Sequence, residues 1–331
     1  MEKRSYGRSG LQVSILGFGC GAVGGLMVRG DPAEQERAVA RALEAGVNYF
    51  DTAAQYGNGE SEKNLGRVFG KLKPRDAIVG TKVRVPEDAT SIAEAITRSV
   101  DASLRRLGRE QVDILHLHNG ITPKGGGRAL STWQVLDEVV PAMESLRRQG
   151  KLRFLGFTAV GDTASLGRVI DARVFDSAQV SYNLLNPSAA SVLPANYPAQ
   201  DYGRLFEHTQ AAGVGVVGIR VLAGGALTGT SERHPVASPP PAPIGSAKNY
   251  EDDLKRAQRL APLVTEGHAA TLAEAAIRFC ITHPAMGTIL VGMATPQQFE
   301  DSLAAVLKGP LPQAALDRLA ELQRGFSGEP R

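Results

Sequence analysis

Short apolar runs rich in β-branched residues alternate along the chain with longer amphipathic stretches. This alternation is typical of repeated βα units, in which each strand is followed by a helix and the strands form a parallel sheet. Gly46, Gly108, Gly150 and Gly213 each follow a predicted helix, where a left-handed residue commonly ends the helix. The predicted strands are residues 13–18, 47–51, 77–82, 112–118, 153–158, 177–181, 214–219 and 288–291. The predicted helices include residues 33–45, 91–107, 132–149, 164–170, 202–212, 271–282 and 296–307.

Eight strands with helical crossovers predict an α/β fold of the (β/α)8 type, a TIM barrel, because eight strands are enough to close a sheet around a filled interior. An open doubly wound sheet is the alternative. The glycine-rich residues 17–25 do not complete the dinucleotide-binding signature of such a sheet, since no suitable Asp or Glu follows the next strand. We therefore expect residues 1–331 to form a single barrel domain.

Three long connections interrupt the regular alternation. They are residues 119–130, 185–200 and 223–248, which follow the fourth, sixth and seventh predicted strands. In a barrel of this type the loops after the strands form the face that carries the active site. The three segments are expected to be walls or lids of that site, although the proline-rich residues 239–243 are also compatible with a surface linker.

Composition excludes several classes of protein. Hydrophobic residues make up 43% of the chain and charged residues 21%, which is compatible with a large core and not with a disordered chain. The formal net charge of +3 is small and dispersed, so we expect neither a nucleic-acid partner nor a membrane partner. The first residues lack an apolar stretch, and Cys20 and Cys280 are far apart, so we expect a cytoplasmic protein with reduced thiols. The sequence does not predict an oligomeric state.

Four polar residues lie at or just beyond the ends of three successive predicted strands. Asp51 ends the second strand and Tyr56 follows it, whereas Lys82 ends the third strand and His118 the fourth. Tyrosine has an ordinary pKa near 10, so it is an effective proton donor at neutral pH only where its anion is stabilised. We expect Lys82 to lower the pKa of Tyr56, Asp51 to orient the ammonium, and His118 to donate to a substrate carbonyl oxygen. No side chain donates hydride, so this arrangement implies a reduced nicotinamide cofactor.

Each of these residues alone has an ordinary structural explanation, in a helix cap, a packing contact or a solvated charge. The pair His116 and His118 also permits a different interpretation, because alternate strand residues share a face and two imidazoles can bind zinc. The other histidines lie far from strand ends, so such a metal site would need carboxylates to complete it.

The order of the four residues, with further motifs, resembles the aldo-keto reductases over nearly the whole chain. Residues 4–19 are similar to the opening hairpin and first strand of that family, and residues 150–158 to its fifth strand. Residues 179–183 resemble its sixth strand, and residues 222–229 its phosphate loop. The resemblance implies a nicotinamide-dependent enzyme, with Tyr56 as general acid and Asp51, Lys82 and His118 around it.

The resemblance also implies which residues hold the dinucleotide. Thr158 and Gln179 correspond to contacts of the carboxamide, and residues 222–227 to contacts of the pyrophosphate. Arg220 stands where the family usually has a serine and could reach a phosphate, or be an ordinary solvated arginine. The complete implied set of cofactor residues is Gly19, Cys20, Thr158, Gln179, Arg220, Leu222, Gly224, Leu227, Gly292, Thr295, Gln298, Asp301 and Ser302.

The adenosine side leaves the choice between NADPH and NADH open. The family often has basic residues here for the 2′-phosphate, but residues 291–302 contain none. The expected reaction interconverts an aldehyde or ketone, including that of a sugar, with the corresponding alcohol, and the expected partner is this small-molecule substrate. A redox-responsive regulatory subunit that binds a dinucleotide, and a metal-dependent barrel hydrolase using His116 and His118, remain alternatives.

Overall fold

A closed barrel of eight parallel strands forms the centre of the protein in a computed structural model that describes residues 1–329. Each strand is hydrogen-bonded to the next strand along the chain, and the eighth to the first. The strands, β1 to β8, are Leu16–Gly19, Tyr49–Asp51, Ile78–Val83, Val112–Leu117, Leu152–Thr158, Ser177–Ser181, Gly215–Ile219 and Met286–Gly292. This topology confirms the predicted (β/α)8 barrel.

Helices surround the barrel, and their apolar faces cover the outer surface of the strands. Gly108 and Gly213 end their helices with φ of 63° and 67°, and Gly46 and Gly150 also have positive φ, as predicted. The helices α1 to α13 are Leu26–Arg29, Pro32–Glu44, Glu60–Leu72, Ile92–Leu107, Thr132–Gln134, Val140–Arg148, Thr163–Asp171, Leu205–Ala212, Tyr250–Gln258, Pro262–Thr265, Leu272–Thr282, Pro296–Leu307 and Gln313–Arg324. No helix in residues 1–329 is both long and apolar enough to cross a membrane.

Two of the predicted elements are divided in the structure. The predicted strand of residues 13–18 is two strands, because Gln12–Ser14 pairs with Lys3–Ser5 in an antiparallel hairpin before β1 begins. The predicted helix of residues 132–149 contains a π-helical segment, Val135–Val139, between α5 and α6. Pro141 lies in the first turn of α6 and has no N–H to donate, which accounts for an irregular hydrogen-bond pattern at this point.

The hairpin closes the amino-terminal end of the barrel. Tyr6 is fully buried, and its hydroxyl contacts the Ser177 hydroxyl inside the barrel. A Cβ added at Gly215 or at Gly287 would lie 2.7–2.8 Å from the Tyr6 ring, so glycine at both positions makes room for the ring. Within residues 1–329 the hairpin therefore blocks this end, and a ligand would approach the barrel interior from the opposite end, where the strands have their carboxyl ends.

Candidate active site

A cavity of about 1070 Å³ opens at the carboxyl ends of the strands. Residues from the ends of β2 to β4 line it, among them Asp51, Tyr56 and His118, and so do residues from the start of α12. Of the three long connections, the first and the third contribute to its wall. Within residues 1–329, the second connection contributes no lining residue but supports the third, since Asn186 Nδ2 donates to the Gly245 carbonyl at 2.7 Å.

Asp51 and Lys82 form a buried ion pair at the base of the cavity. The ammonium contacts Asp51 Oδ2 and also donates to the Thr52 carbonyl at 2.8 Å. The other carboxylate oxygen, Asp51 Oδ1, accepts from Gln179 Nε2 at 2.6 Å. Because β2, β3 and β6 each supply one of these side chains, the barrel backbone fixes the orientation of the ammonium.

The fixed ammonium lies against the face of Tyr56, with Nζ 4.6 Å from the ring centroid. Tyr56 lies in the loop after β2 and is followed by three residues with positive φ, Gly57, Asn58 and Gly59. A Cβ at Gly57 would lie 2.4 Å from Val28. Glycine therefore lets the loop fold tightly against α1 and directs the phenol into the cavity. The structure thus brings Asp51, Lys82 and Tyr56 together, as the sequence predicted.

The net shift of the Tyr56 pKa is opposite to the prediction. Burial raises the pKa of Tyr56, and the Lys82 ammonium and Arg220 lower it without cancelling the effect of burial. The phenol is therefore protonated at neutral pH and available as a proton donor. Burial lowers the pKa of Lys82, but Asp51 and Tyr56 outweigh it and hold that pKa above its ordinary value, so the ammonium stays charged.

His118 lies beside Tyr56, with the two rings 6.0 Å apart and nearly perpendicular. Burial, followed by the positive charges of Lys82 and Arg84, lowers the pKa of His118 to about 3, so the imidazole is neutral at neutral pH. Nδ1 lies 3.2 Å from Gln55 Oε1. An amide can present either its oxygen or its nitrogen, so Gln55 determines which ring nitrogen carries the proton. Nε2 can donate to a substrate only if Gln55 donates to Nδ1.

His116 occupies a different position from His118, deeper inside the barrel. Its Nε2 lies 2.8 Å from the Ser177 hydroxyl, and it is fully buried. A Cβ at Gly156 would lie 2.5 Å from the ring, so β5 makes room for it with a glycine. Among residues 1–329, no group of three or more His, Cys, Asp or Glu side chains is arranged to hold a metal ion. The carboxylates that a zinc site at His116 and His118 would need are therefore not gathered there.

Most of the residues implied as cofactor contacts line the cavity, but three do not. Cys20 is fully buried behind the wall, where its N–H donates to the Asp51 carbonyl at 2.9 Å, and burial raises its thiol pKa. Leu227 is buried in the core, and Thr295 caps α12 through the Gln298 N–H. The cavity-lining members of the set are Gly19, Thr158, Gln179, Arg220, Leu222, Gly224, Gly292, Gln298, Asp301 and Ser302.

The loop after β7 places an arginine and two glycines on the cavity wall. Arg220 has a φ of 58°, held by Asn183, whose Nδ2 donates to the Arg220 carbonyl at 2.8 Å. Gly224 and Gly225 follow with φ of 71° and 110°, and a Cβ at Gly224 would lie 2.7 Å from Pro241. Glycine at position 224 makes room for Pro241, and Gly224 lines the cavity together with the Arg220 side chain, a combination that suits the pyrophosphate of a dinucleotide.

A segment that we call the strap, residues 233–238, crosses the cavity from the loop after β7 to the loop after β1. The Ser238 N–H donates to the Val23 carbonyl at 3.0 Å, and Arg29 Nε donates to the Val236 carbonyl at 2.7 Å. Arg233 donates from Nη1 to the Gly224 carbonyl at 2.8 Å. Because β8 lies between β7 and β1 in the barrel, the strap covers the part of the cavity above β8.

The sequence prediction missed several polar residues of the site, and three of them lie near His118 or on the wall that follows β3 and β4. Gln55 contacts His118, and Arg84 and Arg128 line the cavity. Arg84 follows Lys82 by two residues, and side chains two residues apart on an extended strand point to the same side. This alternation could have indicated that Arg84 faces the cavity. Arg128 lies in the first long connection, where the sequence has no periodicity from which to predict its orientation.

Known proteins resemble this chain in sequence and in fold over nearly its whole length. An L-galactose dehydrogenase of Arabidopsis thaliana is 33% identical over 317 residues, covering 92% of this chain and 88% of that protein. A probable voltage-gated potassium channel subunit beta of the same plant is 25% identical over 328 residues, covering 94% and 93%. The structure of an aldo-keto reductase of Bacillus halodurans in its holo form superposes with a TM-score of 0.71, 25% identity, and coverage of 97% of this chain and 96% of that one.

The sequence model of the Aldo/keto reductase family matches residues 15–324, which include all eight barrel strands and the residues around Tyr56. Members of this family are oxidoreductases, and the family implies a nicotinamide cofactor. The fold, the ion pair beneath Tyr56 and the extent of the match lead to the same conclusion: the chain belongs to the aldo/keto reductase family.

Proposed function

We propose that this chain is a nicotinamide-dependent sugar dehydrogenase that interconverts the anomeric alcohol of an aldose with the corresponding lactone, using Tyr56 as general acid and base. One observation carries the proposal. The Lys82 ammonium, fixed by Asp51, lies 4.6 Å from the centroid of the Tyr56 ring in the same cavity as His118. This arrangement favours transfer of a proton between the phenol and an oxygen atom of the substrate.

In the reducing direction, Tyr56 Oη donates its proton to the substrate carbonyl oxygen, and the resulting phenolate lies beside the Lys82 ammonium. In the oxidising direction, Tyr56 first loses its proton to solvent, and the phenolate formed beside the Lys82 ammonium then accepts the proton of the substrate hydroxyl. His118, neutral at neutral pH, aligns the same oxygen through one hydrogen bond. A nicotinamide held in this cavity would supply or accept the hydride at the adjacent carbon, so each turnover would move one hydride and one proton.

The residues proposed to hold the dinucleotide follow the cavity from the barrel centre outwards. Thr158 and Gln179 lie close to each other, 3.4 Å apart at Oγ1 and Oε1, where a carboxamide would bind. Arg220 and the open backbone at Gly224 suit the pyrophosphate, and the start of α12 suits the adenosine. We propose that NADPH and NADH bind with similar affinity. At the adenosine end of the cavity, Asp301 is acidic and Lys308 is paired with Glu274, so residues 1–329 offer no free basic residue there for the 2′-phosphate.

The sugar substrate is supported by the L-galactose dehydrogenase relative. Aldoses in water are largely cyclic hemiacetals, whose anomeric carbon carries one hydrogen and one hydroxyl group. Loss of hydride from that carbon and of the hydroxyl proton gives a lactone. A base and a hydride acceptor in one cavity are therefore sufficient for the reaction, without a further co-reactant.

The test combines dinucleotide binding with turnover of a sugar panel. Fluorescence titration measures the dissociation constants for NADPH and NADH, and the absorbance of the reduced nicotinamide measures oxidation of hexoses and pentoses. Tyr56→Phe should lower kcat/KM about a hundredfold or more while dinucleotide binding stays nearly intact, because only the transferable proton is removed. Wild-type turnover in Tyr56→Phe would refute the assigned general acid.

A second candidate function is a dinucleotide-binding regulatory subunit, which the similarity to the potassium channel subunit beta favours. A regulatory subunit would bind the dinucleotide in the same cavity, beside the same four polar residues. The turnover assay separates the two functions. A protein that binds the dinucleotide tightly but oxidises no sugar and reduces no aldehyde would support the regulatory function.

A further inference from the structure

Two arginines line the cavity on the side formed by the segments after β3 and β4, the side that also carries His118. Arg84 follows β3 two residues after Lys82, and side chains two residues apart on an extended strand point to the same side. Arg128 lies in the long connection after β4. Both line the cavity together with Tyr56 and His118.

The backbone positions of the two arginines are joined by Asn119. Its Oδ1 accepts from the Val85 N–H at 2.8 Å and its Nδ2 donates to the Val85 carbonyl at 2.9 Å, next to Arg84. The same Nδ2 donates to the Arg128 carbonyl at 3.2 Å. Asn119 is buried, so these three hydrogen bonds hold the two arginines on neighbouring walls of the site.

Neither guanidinium has an anionic partner in the described part of the chain. Among residues 1–329, no carboxylate lies within ion-pair distance of Arg84 or Arg128, and the buried Nε of Arg84 makes no hydrogen bond. By contrast, Lys308 on the cavity wall is paired with Glu274, and Arg233 donates to backbone carbonyls. Burial, followed by the neighbouring charge of Arg128, lowers the pKa of Arg84. A bound anion would stabilise the charged guanidinium in these surroundings.

We propose that Arg84 and Arg128 form a subsite for an anionic group of the substrate, so that the protein prefers an aldose carrying a carboxylate or a phosphate to a neutral aldose. This inference rests on the proposed function. A guanidinium donates two parallel hydrogen bonds to a carboxylate or a phosphate, so the pair would anchor the charged end of the sugar. The anomeric carbon at the other end of the sugar would then meet Tyr56.

The experiment compares three matched sugars with the full-length protein: galactose, galacturonate and galactose 6-phosphate. For at least one of the two anions, kcat/KM should exceed that for galactose by about tenfold or more. The anion that shows the gain identifies the chemistry as carboxylate or phosphate. Arg84→Gln and Arg128→Gln should each reduce the ratio of anionic to neutral kcat/KM by about tenfold. Arg98→Gln, an exposed position on α4 with the same change in charge, is the control and should leave the ratio unchanged.

Two results would overturn the subsite. In the first, galactose is oxidised at least as efficiently as both anions. In the second, the two arginine variants lower kcat/KM for neutral and anionic sugars equally, which would assign the arginines to stability or to the environment of Tyr56.

If no sugar is oxidised although the dinucleotide binds, the proposed function fails and a binding measurement decides the subsite. Calorimetric titration of galacturonate and of galactose 6-phosphate into the protein–dinucleotide complex should show binding that Arg128→Gln weakens about tenfold. Absence of binding, or equal binding by wild type and Arg128→Gln, would overturn the subsite.

Discussion

The ion pair of Asp51 and Lys82 should behave as one unit in both stability and turnover. Both residues are almost completely buried, at 3% and 2% exposure, and the ammonium has Asp51 and the Thr52 carbonyl as its partners. Asp51→Asn leaves a buried ammonium without a counter-charge, and Lys82→Met leaves a buried carboxylate with Gln179 as its remaining hydrogen-bond donor. Each single variant should lower the free energy of unfolding by about 3–5 kcal/mol.

The double variant should cost much less than the sum of the two singles, because it removes both buried charges together. The expected coupling is about 3 kcal/mol, measured by urea unfolding of the four proteins in a double-mutant cycle. A matched control is the exposed pair of Glu36 and Lys71, which lie 2.6 Å apart on the protein surface. The cycle of Glu36→Gln and Lys71→Met should give about 1 kcal/mol or less.

The same cycle measured on kcat/KM should also be far from additive, since in the proposed mechanism Asp51 acts through the ammonium and the ammonium acts through Tyr56. The reasoning would be refuted by two results. One is a stability coupling no larger than that of the exposed control pair. The other is a double variant whose loss of kcat/KM equals the product of the two single losses.

Three further predictions concern His118 and the cofactor. Gln55→Glu should lower kcat/KM for carbonyl reduction about tenfold more than the similarly sized Gln55→Met. The reason is that a carboxylate fixes the proton on His118 Nδ1 and leaves Nε2 unable to donate. Equal losses in the two variants would contradict a role of Gln55 in setting the His118 tautomer. The pKa of His118 is lowered from 6.5 to about 3 in the folded protein, so the free energy of unfolding should decrease as the pH falls from 6.5 towards 3. His118→Gln should reduce this dependence of the unfolding free energy on pH in urea titrations, and an unchanged dependence would contradict the shift. The dissociation constants for NADPH and NADH should lie within about tenfold of each other, roughly 1.4 kcal/mol, and Gln298→Arg should shift the preference towards NADPH. If the unmodified protein prefers NADPH by about a thousandfold, another basic residue binds the 2′-phosphate.

The barrel was predictable because the sequence alternates between strand and helix with a regular spacing, and the candidate site was predictable because its residues lie at or just beyond strand ends. Asp51, Lys82 and His118 each lie at or next to the end of a strand, so parallel pairing alone brings them to one face of the barrel. Tyr56 could be added because it follows β2 by only a few residues. These positions depend on backbone topology, which the pattern of apolar residues determines.

Other features depend on contacts between segments that are distant in sequence. The boundary at Ile15 was missed because residues 12–14 pair with residues 3–5, and an apolar run does not indicate its partner strand. Cys20 was expected beside the cofactor, but its side chain lies on the core side of the wall. The helix Glu60–Leu72 was not predicted either, although it follows the Tyr56 loop directly. The position of Arg128 depends on the buried hydrogen bonds of Asn119, for which the sequence contains no local signal.

The strap has a kinetic consequence. Its hydrogen bonds to Val23, to Arg29 and to the backbone of Gly224 connect two loops above the cavity, so a long ligand can neither enter nor leave this part without breaking some of them. A small sugar at Tyr56 does not have to pass beneath it. Exchange of the dinucleotide should therefore be slower than exchange of the sugar. Turnover would follow an ordered sequence, in which the dinucleotide binds first, leaves last, and sets the upper limit of kcat.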